Sequence, residues 1–395
     1  MAALTPYITK QYVQDIWENV KFKALTEVQA KAIPEILDGN DVMIESPTGT
    51  GKTLAYVLPI LEKIDESLSN TQVVIVAPSR ELVMQIHEVV QQWSGGSEMT
   101  STVLIGGANI KRQIEKLKKN PTFVVGTPGR IVELIKAKKL KMHHVKMIVL
   151  DEVDQLLTPE HEERVEAIVR ATMKERQLVI VSATLPEKTM KRAQHLMNEP
   201  VLIQVESKQQ QVKHVYIVTD KRDKPEIVRK LVKGQPMTAL LFARDIGNLN
   251  VLAQRLEYKG VELSVLHSEA TKKEREDAMR QFRTKKHSLL LATDVAARGL
   301  DIDKISHVIH YDVPKDANQY THRSGRTGRM GATGTVISIV TKSEEKELRS
   351  IARKLGISVQ ENILYKGQLQ VKPQSEEKAK SGRPNHSRHR RRSRN

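Results

Sequence analysis

Two short strings hold side chains that could do chemistry together. The first, SPTGTGKT at 46–53, follows the apolar run DVMIE and precedes LAYVLPILEKI. A glycine-rich turn between a strand and a helix start aims backbone N–H groups and the positive helix end at one point, which suits a phosphate. Ser46, Thr48, Gly49, Thr50 and Gly51 would form the cradle, Lys52 would reach the terminal phosphates, and Thr53 would support magnesium. The strict pattern GxxxxGK[ST] begins with glycine, and this chain has Ser46 there. The second string, MIVLDEVD at 147–154, is four apolar letters and then three acids around Val153. Alone it reads as a solvated strand end. Beside a phosphate loop it reads as a metal and catalysis site, with Asp151 holding magnesium in part through water and Glu152 orienting and deprotonating the attacking water.

The elements that must position these strings are short, β-branched apolar runs. VMI at 42, VVIV at 73, TVLI at 102, FVV at 123, MIVL at 147, LVIV at 178 and PVLIQV at 200–205 form one series. HVYIV at 214, ALLF at 239, ELSVL at 262, SLLLA at 288, HVIHY at 307 and GTVISIV at 334 form a second. Runs buried on both faces and separated by helical stretches indicate mainly parallel sheets flanked by helices, the α/β class. The polar ESKQQQ at 206–211 reads as a linker. The expected organisation is therefore a first domain over 1–205, a second over 212–370, and a tail over 371–395. After Tyr365 the apolar pattern stops, and the tail is expected to stay disordered until it meets an anion.

A chain of 395 residues exceeds what one hydrophobic core usually supports, which agrees with two domains. No apolar run approaches the roughly 18 residues that span a bilayer, so no membrane segment is expected. The opening MAALTPYITKQ lacks a basic flank followed by an apolar stretch, and there is no cysteine; a cytoplasmic, reducing setting is the expectation. The net charge is +17, of which 371–395 contributes nine Lys or Arg against two Glu. The rest of the chain is still basic, as a binder of polyanions would be. Aromatic residues are only 4%, so base stacking is not expected to dominate.

Further strings turn these readings into a family resemblance: PSREL at 78–82, Gly106 and Gly107, TPGR at 127–130, SAT at 182–184, TDVAARGLD at 293–301 and HRSGRTGR at 322–329. With SPTGTGKT and DEVD, in this order, they resemble the DEAD-box RNA helicases of superfamily 2 over residues 22 to about 340. The resemblance implies two tandem RecA-like domains, an ATP site with Mg2+ in the cleft between them, and a continuous face for RNA. FKALTEVQ at 22–29 is similar to the family's adenine-reading element, with Phe22 stacking on the base and Gln29 pairing with its edge. Asp301 would contact the ribose. Arg326 and Arg329 would act as arginine fingers, neutralising charge on the transferring phosphoryl group.

By the same resemblance, Arg80, Gly107, Thr127 and Arg130 would hold the RNA backbone on the first domain, and Arg244, Thr293 and Arg298 on the second. HSEATKKER at 267–275 has Lys272 where the family has glutamine and keeps Arg275, where a phosphate contact is expected. Ser182 and Thr184 would couple cleft and RNA face through Asp154 and the arginine loop, with His322 fitting that loop; ordinary turn chemistry is the other reading of the two hydroxyls. The implied activity is an RNA-stimulated ATPase that unwinds short duplexes or remodels RNA–protein complexes, with structured ribosomal RNA or pre-ribosomal particles as partner. A DNA helicase or translocase, or an RNA clamp or chaperone that does not separate strands, are the alternatives.

Overall fold

The computed structural model describes residues 4–20, 22–206, 212–297, 305–328 and 332–372. Arg298, Asp301, Arg329, most of the expected linker and nearly all of the expected tail lie outside the described residues.

The first unit is a seven-stranded sheet, with strands β1 (Val42–Glu45), β2 (Val73–Val76), β3 (Ser101–Leu104), β4 (Phe123–Gly126), β5 (Met147–Asp151), β6 (Gln177–Ser182) and β7 (Val201–Gln204). They lie in the order β3-β4-β2-β5-β6-β1-β7 and every pairing is parallel. The second sheet has eight strands: β8 (Val212–Val218), β9 (Ala239–Ala243), β10 (Leu263–Leu266), β11 (Leu289–Thr293), β12 (His307–His310), β13 (Gly334–Val340), β14 (Gln360–Tyr365) and β15 (Gln368–Val371). Its order is β10-β11-β9-β12-β13-β8-β14-β15, parallel except for the β14–β15 hairpin at its edge.

Alternate residues of each central strand feed opposite faces. In β1, Val42 and Ile44 pack into one core while Met43 packs into the other. In β9, Ala239 and Leu241 divide from Leu240 and Phe242 in the same way. A strand buried on both sides has no polar letter to alternate with, which is why these segments read as unbroken apolar runs. The β14–β15 hairpin was not expected, because it is an edge pair in which glutamines and apolar residues share the exposed positions, and it carries the second sheet to Val371. No helix among the described residues is long and apolar enough to cross a membrane.

Strand order also sorts the motifs. SPTGTGKT follows β1, the acids end β5 and SAT ends β6, and β5-β6-β1 are neighbours. PSREL follows β2, the glycine pair follows β3 and TPGR follows β4, and β3-β4-β2 are neighbours on the other half of the sheet. In an open parallel sheet, ligands bind in the crevice outside the carboxyl ends of the strands. Two groups of motifs thus share one rim.

Candidate functional site

The phosphate-loop motif is wound tightly against its own helix. Gly49 and Gly51 adopt φ of +78° and +89°, left-handed values that a side chain would strain. A Cβ on Gly51 would also come 2.6 Å from Gln29 Nε2. Lys52 donates to Ser46 O at 2.5 Å and Pro47 O at 2.8 Å, and Thr50 Oγ1 donates to Pro47 O at 2.8 Å and lies 2.7 Å from the Ser46 hydroxyl. Ser46 is fully buried, so a small residue is what this first loop position requires. Gln29 is engaged at both ends: Oε1 accepts from Thr26 N at 2.9 Å, completing a capping box, and Nε2 donates to Gly51 O at 3.2 Å. Its amide therefore braces the loop. Phe22 stacks on Trp93 and meets Trp17 edge-on, with 39% of its surface exposed.

Asp151, Glu152 and Asp154 occupy three different environments. Asp151 is buried; Oδ1 accepts from Glu152 N at 2.8 Å and Oδ2 from the Tyr56 hydroxyl at 2.9 Å. Burial first, and then the Glu152 charge, push its carboxyl up to about 6 against the pull of Lys52. Burial likewise pushes Lys52 down to about 8, opposed by the three acids and assisted by the charge of Arg326. Glu152 has φ +52°, a strained value for a side-chain-bearing residue, and its Oε2 is buried with no hydrogen-bond partner among the described residues. Such strain costs on the order of 1–3 kcal/mol, and an unmatched buried oxygen adds to it. Asp154 receives Ser182 Oγ at 2.7 Å, His322 Nε2 at 2.8 Å and Gln155 Nε2 at 3.0 Å. Burial alone would raise its carboxyl, but these donors hold it below the usual range.

The raised Asp151 carboxyl has a stability consequence. The unfolded chain loses this proton near pH 3.8 and the folded protein near pH 6, so stability falls as pH rises through that window and stays reduced above it. Asp151→Asn should therefore raise the stability of the nucleotide-free, metal-free protein by about 2 kcal/mol at neutral pH, with a smaller gain near pH 5. Urea unfolding at the two pH values checks this, and an equal or negative change at neutral pH would contradict it.

Across the cleft, Thr48 Oγ1 donates to Gly325 O at 2.9 Å, and the His322–Asp154 bond is a second bridge. Arg326, nearly buried, lines the same cavity as Asp154, Gln155 and His322. The segment is held from behind by a pair that sequence reasoning missed: Arg323 meets Asp294 through Nε at 2.6 Å and Nη2 at 2.7 Å, and donates to Asp312 O at 2.7 Å. A Cβ on Gly325 would come 2.1 Å from Thr48 Oγ1. Gly325→Ala should force Thr48 to rotate away and lose its bond, lowering RNA-stimulated turnover about tenfold while nucleotide binding without RNA is retained. ATPase assays with and without RNA read this directly.

Along the rest of the rim, the Arg80 guanidinium lies against Gly107, where a Cβ would come 2.7 Å from it. Arg130 donates to Ala108 O at 3.3 Å and sits beside Glu133, while Thr127 caps its helix start without a side-chain bond. On the second unit Arg244 is exposed after β9, and Thr293 ends β11 with its hydroxyl buried and unpartnered among the described residues. Ser182 reaches Asp154, whereas the Thr184 hydroxyl is buried with no partner among the described residues; the Thr184 backbone N–H donates to Ser182 Oγ at 3.4 Å. Arg275 does not stand free for a phosphate: it pairs at 2.6 Å with Glu81 in the first turn of the helix Arg80–Trp93, a third bridge between the units.

The tight glycine turn, the half-buried lysine and the unmatched Glu152 oxygen fit a nucleoside triphosphate with Mg2+, which Thr53 and Asp151 would hold. Comparison with known proteins agrees with that chemistry. Residues 26–193 match the family model for the DEAD/DEAH box helicase, and 223–331 that for the helicase conserved C-terminal domain. The chain is similar to the probable ATP-dependent RNA helicase YfmL of Bacillus subtilis, 52% identical over 366 residues, covering 92% of this chain and 97% of that protein. It is also similar to the DEAD-box ATP-dependent RNA helicase CshC of Bacillus cereus, 49% identical over 373 residues, covering 93% and 96%. Among solved structures, Saccharomyces cerevisiae Dbp5 bound to RNA and ADP BeF3 aligns with a TM-score of 0.84 at 28% identity, covering 91% of this chain and 95% of that one. With two RecA-like sheets, a phosphate loop and an acid cluster bridged to an arginine loop, the chain belongs to the DEAD-box family of ATP-dependent RNA helicases.

Proposed function

We propose that this helicase couples ATP binding and hydrolysis to local opening of short RNA duplexes or to remodelling of RNA–protein complexes, in the cytoplasm. The carrying observation is the pair of bridges from the nucleotide-side motifs to the second unit, Thr48 to Gly325 and Asp154 to His322. Each bridge gives a ligand of one unit a route to the other. ATP and RNA would both favour the bridged state, and each would strengthen the other's binding by about 1–3 kcal/mol.

In this reading the loop 46–53 holds the phosphates and Lys52 turns from its own loop carbonyls to the terminal ones. Bound Mg2+ would supply Lewis-acid neutralisation of phosphate charge. Glu152 takes the proton of the attacking water, and Arg326 meets charge on the phosphoryl group as it transfers. Arg80, Gly107, Thr127, Arg130, Arg244 and Thr293 line the rim where a single strand's sugar-phosphate backbone would lie. Such contacts position RNA without reading its sequence. The basic body and the arginine-rich 371–395 segment suit a dense, folded RNA, and we assign structured ribosomal RNA or pre-ribosomal particles as the substrate class.

The test is strand separation. A short labelled RNA duplex should open with ATP, remain closed without it, and be favoured over a matched DNA duplex. Preference for DNA would sink the RNA reading. ATP-dependent RNA retention with no strand separation would leave a clamp instead.

A further inference from the structure

Tyr56 is fully buried in the helix Lys52–Lys63, three residues beyond Thr53 and hence on the same helix face. A phenylalanine would fill the same apolar space with no hydroxyl to desolvate. The hydroxyl's partner is what distinguishes it: Tyr56 Oη donates to Asp151 Oδ2 at 2.9 Å, from the same helix face that carries Thr53. Asp151 Oδ1 is held by Glu152 N at 2.8 Å. Each carboxylate oxygen thus has one fixed donor and keeps further lone pairs for another partner. With both oxygens pinned, the carboxylate plane cannot rotate.

We propose that Tyr56 is a positioning residue for the divalent cation: its hydroxyl ties Asp151 to the helix that carries Thr53, so that the helix and the end of β5 present their oxygens to one ion in register. This rests on the Mg2+-nucleotide reading of the site. Groups that orient a ligating carboxylate commonly carry about 10- to 100-fold of metal affinity. The tyrosine acts only through Asp151, and it touches no reacting atom.

The test uses the full chain, a fluorescent ATP analogue and Mg2+ titrations without RNA, so that no turnover is needed. In Tyr56→Phe the Mg2+ concentration for half-maximal tightening of nucleotide binding should rise about tenfold, with affinity in chelator unchanged. Tyr56→Leu, which removes ring and hydroxyl together, should show the same Mg2+ shift and alone lose thermal stability. A shift below about twofold in Tyr56→Phe, or a shift confined to Tyr56→Leu, would overturn the proposal and leave Tyr56 a packing residue. If binding to the parent protein did not respond to Mg2+ at all, the reading of the site would fail first and the role of Tyr56 with it.

Discussion

Glu152→Gln should bind ATP and RNA as the parent does and lose turnover by about 10²- to 10⁴-fold, the span that a positioned general base contributes. The substitution keeps length and shape, so the left-handed backbone at Glu152 and the N–H that it donates to Asp151 Oδ1 stay as they are. What it removes is the basic oxygen. Glu152 Oε2 is buried with no partner among the described residues, although its neighbours Asp151 and Asp154 each accept from two or more donors. A carboxylate held in a strained conformation and left one bond short is placed to accept a proton from water. If hydrolysis is what resets the closed state, the variant should also hold labelled RNA longer in the presence of ATP. Stopped-flow turnover and RNA-release measurements check the two halves separately, and turnover within about tenfold of the parent would remove Glu152 as the base.

The parts legible in the sequence are those with a local cause. Strands buried on both faces must be apolar throughout, so β1, β2, β5, β6 and β9 were readable, and so were the turns at their carboxyl ends. The neighbouring phosphate loop supplied the tasks of Asp151 and Glu152, and the family resemblance those of Asp154 and the arginines. What was not legible depends on tertiary approach. Nothing in PSREL indicates that Glu81 meets Arg275, and nothing in HRSGRTGR indicates that Arg323 turns back onto Asp294. For Gln29 the resemblance implied pairing with the adenine edge; its place at the third position of a capped helix and its bond to Gly51 explain why it also braces the loop. Tyr56 was hidden inside an apolar stretch, although its spacing from Thr53 was the available signal. The hairpin of β14 and β15 escaped because an edge pair can be largely polar, and periodicity is weakest there.

Arg326→Ala should lower RNA-stimulated ATP turnover by about 10³-fold or more, the scale of an arginine that meets transition-state charge. The segment that leads into it is fastened twice: His322 bonds Asp154, and the Gly325 carbonyl accepts from Thr48 of the phosphate loop. The second bond is made by the residue immediately before Arg326, so Arg326 is held close to the loop whenever the units are bridged. Its charge already weakens the hold of Lys52 on its proton, which places two cations toward one region; such a site suits the several negative charges of a triphosphate. Arg326→Lys should recover little, because a flexible ammonium cannot reproduce a planar fork of donors. RNA affinity measured without nucleotide should stay within about twofold of the parent, since the backbone-facing candidates Arg80, Arg130 and Arg244 are untouched. Equal loss of RNA affinity and turnover would instead put Arg326 on the nucleic acid. The contrast with Gly325→Ala makes the assignment sharper: weakening the fastening should cost about tenfold, whereas removing the cation it delivers should cost the full electrostatic contribution.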